Sequence, residues 1–136
     1  MKKIKTFIAF MTLAFSLSAQ DSFVTTSKSE DSLYEVVDIQ PQYKEGQNEL
    51  YKFLAQNVKY PEIARKNGIE GTVYIGFIVE KDGTLTNFRV IRGIGAGCNE
   101  DAMLVVKATQ GKWKAGSIQG KNVRTKYSIP IKFNLG

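Results

Sequence analysis

The sequence predicts an α+β domain, a three-stranded antiparallel sheet with helices packed on one face. Two apolar alternations and one turn carry that expectation. In TVYIGFIVE, from Thr72 to Glu80, the residues Val73, Ile75, Phe77 and Val79 share one parity, the period-two pattern of a well-covered strand. Lys81-Asp82-Gly83 follows, with an aspartate to initiate a turn and a glycine for positive φ, and returns Leu85 to Ile91 as the antiparallel partner. In NVRTKYSIPIKFNL, Val123, Tyr127, Ile129, Ile131, Phe133 and Leu135 alternate with Arg124, Lys126, Ser128, Pro130, Lys132 and Asn134. That is a long third strand with one packing face and one basic, wet face.

The 136-residue chain is read in three parts. Residues 1–19 combine Lys2, Lys3 and Lys5, an apolar run from Phe7 to Leu17 and Ser18-Ala19, which is the pattern of a signal peptide cut after Ala19. The alternative is an uncleaved membrane anchor, for which the apolar run is shorter than the roughly 20 residues that span a bilayer. Residues 20–40 are expected to be a flexible lead-in, polar and aperiodic to Ser32, with a short extended stretch from Leu33 to Ile39 closed by Pro41. Residues 41–136 form the domain. Removing the leader leaves 16 basic against 13 acidic residues, a net charge of +3, which suits anionic envelope surfaces or peptides rather than nucleic acid.

Helical spacing covers the remaining elements. Leu50, Phe53, Leu54 and Val58 give one buried face to a helix beginning near Gln47. Pro61 suits the first position of a short second helix, with Glu62 in its first turn, Arg65 and Lys66 at its end and Asn67-Gly68 as the stop. Asn99 is expected to cap a third helix, with Ala102, Val105, Val106 and Thr109 inward and an end near Gln110-Gly111.

Composition bounds the chemistry. Histidine is absent and cysteine occurs once, at Cys98, so His-activated nucleophiles, histidine-ligated zinc and internal disulfides are excluded. Cys98 reads as a small buried hydrophobe. The glycines of GIGAG, Gly93 to Gly97, lack phosphate-loop spacing and read as a loop. No catalytic residue, cofactor, metal or small-molecule substrate is expected. Pro130 cannot donate a ladder hydrogen bond, so the last strand belongs at a sheet edge, with Pro130 in the register whose amides point outward. Such an edge is either a guarded terminal strand or a place where an extended peptide adds a strand.

The order Tyr60-Pro61, Gly68-Ile69-x-Gly71, Asp82-Gly83, Trp113 with Gly116 and Gly120, and Pro130-Ile131-x-Phe133 resembles the C-terminal domain of TonB energy transducers of the Bacteroidetes type, from about Pro41 to Leu135. The resemblance implies the same α+β fold and a non-enzymatic periplasmic domain that captures a segment of an outer-membrane receptor by strand addition. It implies that Asn122 to Asn134, including Ser128 and Pro130, is the docking strand. Arg124, Lys126 and Lys132 would add charge preference, while Lys59, Tyr60 and Pro61 would flank the peptide. Lys59 stands where better-known transducers carry Gln, and Ala115 replaces the proline of the common Trp-x-Pro-Gly pattern. The expected partner is a TonB-dependent receptor or another envelope protein, with a homodimer as a further option. With only three prolines in the chain, the expectation is a short stand-alone exported domain without the long proline-rich reach of a transducer. A membrane-anchored minimal transducer and an envelope structural or regulatory protein, binding peptidoglycan or itself, are the alternatives.

Overall fold

In the computed structural model, residues 31–136 are described; the expected signal peptide and residues 20–30 of the lead-in lie outside them. The elements run β1 (Leu33–Tyr34), β2 (Gln42–Tyr43), α1 (Gln47–Asn57), α2 (Glu62–Lys66), β3 (Gly71–Val79), β4 (Leu85–Arg92), α3 (Cys98–Lys107), β5 (Trp113–Lys114), β6 (Gly116–Ile118) and β7 (Lys121–Phe133). The three long strands form an antiparallel sheet in the order β7-β3-β4, as the alternations require. Short strands extend it. β1 joins β7 in parallel, β6 joins β7 antiparallel, and β2 pairs with β5 in a separate ribbon. β1 falls within the stretch expected to be extended, whereas β2, β5 and β6, of two or three residues, carry no period-two signal and escape a reading of the sequence.

The β3–β7 ladder is unbroken from Gly71 opposite Phe133 to Val79 opposite Thr125. Facing residues therefore share a parity, and Val73, Ile75, Phe77 and Val79 meet Ile131, Ile129, Tyr127 and Thr125 on the inner face. Against that face pack Leu50 and Leu54 of α1, Ala64 of α2 and Ala102, Val105 and Val106 of α3, so one apolar core serves all the helices. An aromatic group at its centre joins Phe77, Trp113 and Tyr127, with ring centroids 5.5–6.0 Å apart, and Tyr43 meets Trp113 edge-on. The indole N–H of Trp113 donates to the Thr109 hydroxyl at 2.9 Å, which itself donates to the Val106 carbonyl, so the buried polar atoms are satisfied. The β3–β4 turn uses Gly83 at φ +88, where a side chain would strike the Trp113 carbonyl.

Three local expectations change. Residues 31–40 of the lead-in are attached to the sheet through β1, and Ile39 pairs with Ser117. Pro61 stands just before α2 in an extended conformation rather than at its first helical position. The third helix starts at Cys98 after Gly97, and Asn99 does not cap it. Its carboxamide oxygen turns back to accept from the Ile94 and Gly95 amides at 3.0 and 3.2 Å, bracing the glycine loop where an Asn side chain competes with the helix for backbone donors.

Candidate functional site

The outer edge of β7 is where the expected site residues fall, and it is divided into two stretches. Lys121, Asn122 and Val123 are paired with β6, and Arg124 and Thr125 with β1, Thr125 being paired with β3 as well. From Lys126 to Phe133 it has only β3 beside it among the described residues. The strand expected to be open from Asn122 to Asn134 is therefore open along its C-terminal part. Pro130 lies within that part, opposite Tyr74. Its missing N–H leaves the ladder to β3 intact if it points outward, as its placement at an edge demands.

Beside the open stretch, α1 forms the other wall of an apolar groove of about 430 Å³, lined by Tyr51, Leu54, Ala55, Val58, Pro130, Ile131 and Lys132. Leu54 and Val58 belong to the buried stripe legible in the sequence. Tyr51 and Ala55, one turn apart on the neighbouring stripe, were missed; an apolar pair at i, i+4 beside the core stripe is the signal that could have found them. Tyr51 is fixed by Gln47, whose amide donates to the phenol oxygen at 2.9 Å.

The expected site residues separate into those that face this edge and those that hold the fold. Ser128 and Lys132 are exposed and lie on the outer sheet face opposite Gly76 and Thr72. Lys126 is on the same face, with its ammonium 3.4 Å from Glu35. Arg124 is committed. Its Nε and Nη2 donate to both carboxylate oxygens of Glu80 at 2.6 and 3.1 Å, and Nη1 donates to the Asp31 carbonyl at 3.0 Å. The bond to Arg124 holds the Glu80 carboxyl below its ordinary value despite partial burial, with a second hydrogen bond from Thr86. A peptide gains charge preference from Arg124 only at the expense of this pair.

At the far end of β7, Tyr60 stacks edge-on to Phe133 at 5.5 Å, carries the Arg65 guanidinium 5.2 Å above its ring and donates its hydroxyl to the Ile69 carbonyl. Desolvation, then the Glu70 carboxylate, push its phenol above the ordinary value. Pro61 packs against Gly97, where an added Cβ would come within 3.1 Å of it. Tyr60 and Pro61 thus fasten α2 to the end of β7, while Lys59 is exposed beside the groove residue Val58. Arg124 and Lys132 are eight positions apart on one strand, roughly 26 Å. The set is a line along an edge, suited to an extended ligand. Cys98 is buried, and desolvation followed by Asp101 and Glu100 push its thiol up, leaving it a weak nucleophile. Among the described residues no helix is long and apolar enough to cross a membrane.

The family match and one solved structure agree with this architecture. The family model for the Gram-negative bacterial TonB protein C-terminal matches residues 56–135. The solution structure of Helicobacter pylori TonB-CTD aligns with a TM-score of 0.52 at 24% identity, covering 64% of this chain and 78% of that one. The Pseudomonas aeruginosa TonB CTD aligns with a TM-score of 0.43 at 19% identity, covering 79% of this chain and 99% of that one. Among curated proteins none matches.

Proposed function

The chain belongs to the Gram-negative bacterial TonB protein C-terminal family, and from that premise we propose that it is a periplasmic interaction module that captures an extended segment of a TonB-dependent outer-membrane receptor as an added strand on β7, in support of transmembrane transport. The observation that carries this reading is the open edge from Lys126 to Phe133 with the α1 groove alongside it. Main-chain hydrogen bonds from the outward-pointing groups of β7 would hold the incoming strand. Its side chains would alternate between the groove, which takes apolar residues, and the outer face, where Lys126 and Lys132 favour acidic ones. The work is binding, without a catalytic residue or cofactor. The protein reaches the periplasm by export, with the leader cut after Ala19.

Calorimetry with synthetic peptides from the N-termini of receptor plugs tests the reading. Saturable one-to-one binding, with amide shifts clustered along residues 126–133 of β7 and at the groove residues of α1, is expected, whereas a panel that never saturates would sink it. Light scattering over a concentration series, with and without Lys126→Glu, separates self-pairing through the same edge from peptide capture. Sequencing of the exported protein should begin at Gln20; a start at Met1 in the membrane fraction would replace export with anchoring.

A further inference from the structure

Residues 31–41 are held at two unequal ends, the rear against β6 and the turn after it, the front against the edge of β7. The rear of the segment is fixed. The Asp38 and Ile39 amides both donate to the Ser117 carbonyl at 3.0 Å, the Ser117 amide returns a bond to Ile39 at 2.9 Å, and the Asp38 carboxylate accepts from the Gln119 amide at 2.8 Å. Pro41 is buried, and Gly116 lets the chain pass so closely that an added Cβ would lie 3.1 Å from both the Ile39 carbonyl and Pro41. The front is held lightly. β1 contributes two parallel pairs, Leu33 with Arg124 and Tyr34 with Thr125, the Asp31 carbonyl accepts one exposed hydrogen bond from Arg124 Nη1, and the Glu35–Lys126 ion pair is solvent-exposed, the kind that contributes little. Leu33 is 37% and Val36 84% exposed and Tyr34 is half-buried, so this end buries less apolar surface than the rear, where Pro41 is fully buried.

We propose that residues 31–36 are a displaceable strap, tethered at residues 38–41, which occupies the docking edge as an internal strand and which a partner reaching past Lys126 must lift away. The proposal rests on the docking function above and deepens it. The strap stops at Lys126, so a short partner fits the open stretch beside it, while a longer one competes for Arg124, Thr125 and Lys126. Glu35 supplies at Lys126 the carboxylate that a partner strand would supply in its place. Partner length therefore sets whether binding is direct or runs through exchange with the strap, and the apparent affinity of a long partner is reduced by the fraction of molecules with the strap seated.

The test uses the full chain and two receptor-plug peptides, one of about six residues that spans only the open stretch and one of about ten that overlaps the strap. Leu33→Pro weakens the seated strand. Conversely, Glu35 directly follows the Tyr34–Thr125 pair and reaches Lys126 through its ion pair, so a Glu35→Cys, Lys126→Cys pair at that point, where strands about 4.8 Å apart lie within disulfide reach, is designed to lock it, with Cys98 buried and out of play. Leu33→Pro should tighten the long peptide by about three- to tenfold and leave the short one unchanged. The oxidised pair should weaken the long peptide by at least about tenfold and recover on reduction. Equal long-peptide affinity in wild type, Leu33→Pro and the oxidised pair would overturn the strap while leaving the docking function standing. Failure of both peptides to bind Leu33→Pro would remove the docking function and the strap's role with it.

Discussion

The two edges of the sheet are protected by different means. Along β4 the pairing with β3 shifts register between Tyr74 and Ile75 and again between Gly76 and Ile78, and Asn87 takes a left-handed φ of 51. Such irregularity twists a strand away from a regular template, so this edge is blunted by its own geometry and can leave Val90 and Ile91 exposed. β7 pairs with β3 through nine consecutive positions without a shift, which makes its outer side a regular template for another strand. There, protection comes from added parts: Pro130, the lysines, β6 and the strap. A regular edge guarded by removable parts can be opened, whereas a bulged one has no open form to offer.

The largest expected contrast concerns how each edge is built into the core. Ile129→Ala on β7, 2% exposed, should cost about 2–5 kcal/mol in urea unfolding, while Val90→Ala on β4, 39% exposed, should stay within about 0.5 kcal/mol. Equal losses would erase the distinction between an integrated and a peripheral edge.

Next in size is the template itself. Ser128 has the parity of Pro130, so Ser128→Pro removes a second outward amide without touching the ladder to β3. Peptide binding should fall about tenfold or more, roughly 1.4 kcal/mol or above, with the fold retained by circular dichroism. Unfolding by this substitution would show that the parity points inward.

Glu80→Gln loosens the covered end of β7 by removing the charge opposite Arg124, and should cost about 1–2 kcal/mol at neutral pH. The sign with pH follows from the depressed Glu80 carboxyl. Its contribution is present above the ordinary carboxylate value of 4.5 and is lost as pH falls through the lower folded value, so the wild-type advantage over Glu80→Gln should shrink in acid. An advantage that grows below pH 4.5 would contradict the pair. The smallest effect belongs to rim charge. Lys132→Glu should weaken an acidic peptide by about two- to fivefold, with the loss shrinking at high salt, and Arg92→Glu on the other edge should leave binding unchanged.

How much of this was legible follows the length scale of each interaction. The three long strands, α1 and the Asp82-Gly83 turn were readable because periodicity and turn chemistry lie within a dozen residues. Asn99 was misplaced by a few residues because its side chain can serve either a helix start or a neighbouring loop, and only the path of the glycine loop decides between them. Arg124 looked available because Glu80 is 44 positions away in the chain. Tyr51 and Ala55 are exposed helix residues outside the buried stripe, and they become groove lining only because β7 lies beside them.

The sequence by itself determined that β7 is long, one-sided, basic on its wet face and interrupted by a proline fit only for an edge. These are properties of residue type and parity, and they hold wherever the strand is placed. Tertiary structure decided which stretch of that edge stays open, because the pairing of Leu33 with Arg124 joins parts of the chain some 90 residues apart, for which no local pattern codes. It also decided that the open stretch has a groove, because α1 and β7 acquire a shared wall only when both bury their apolar faces in one core.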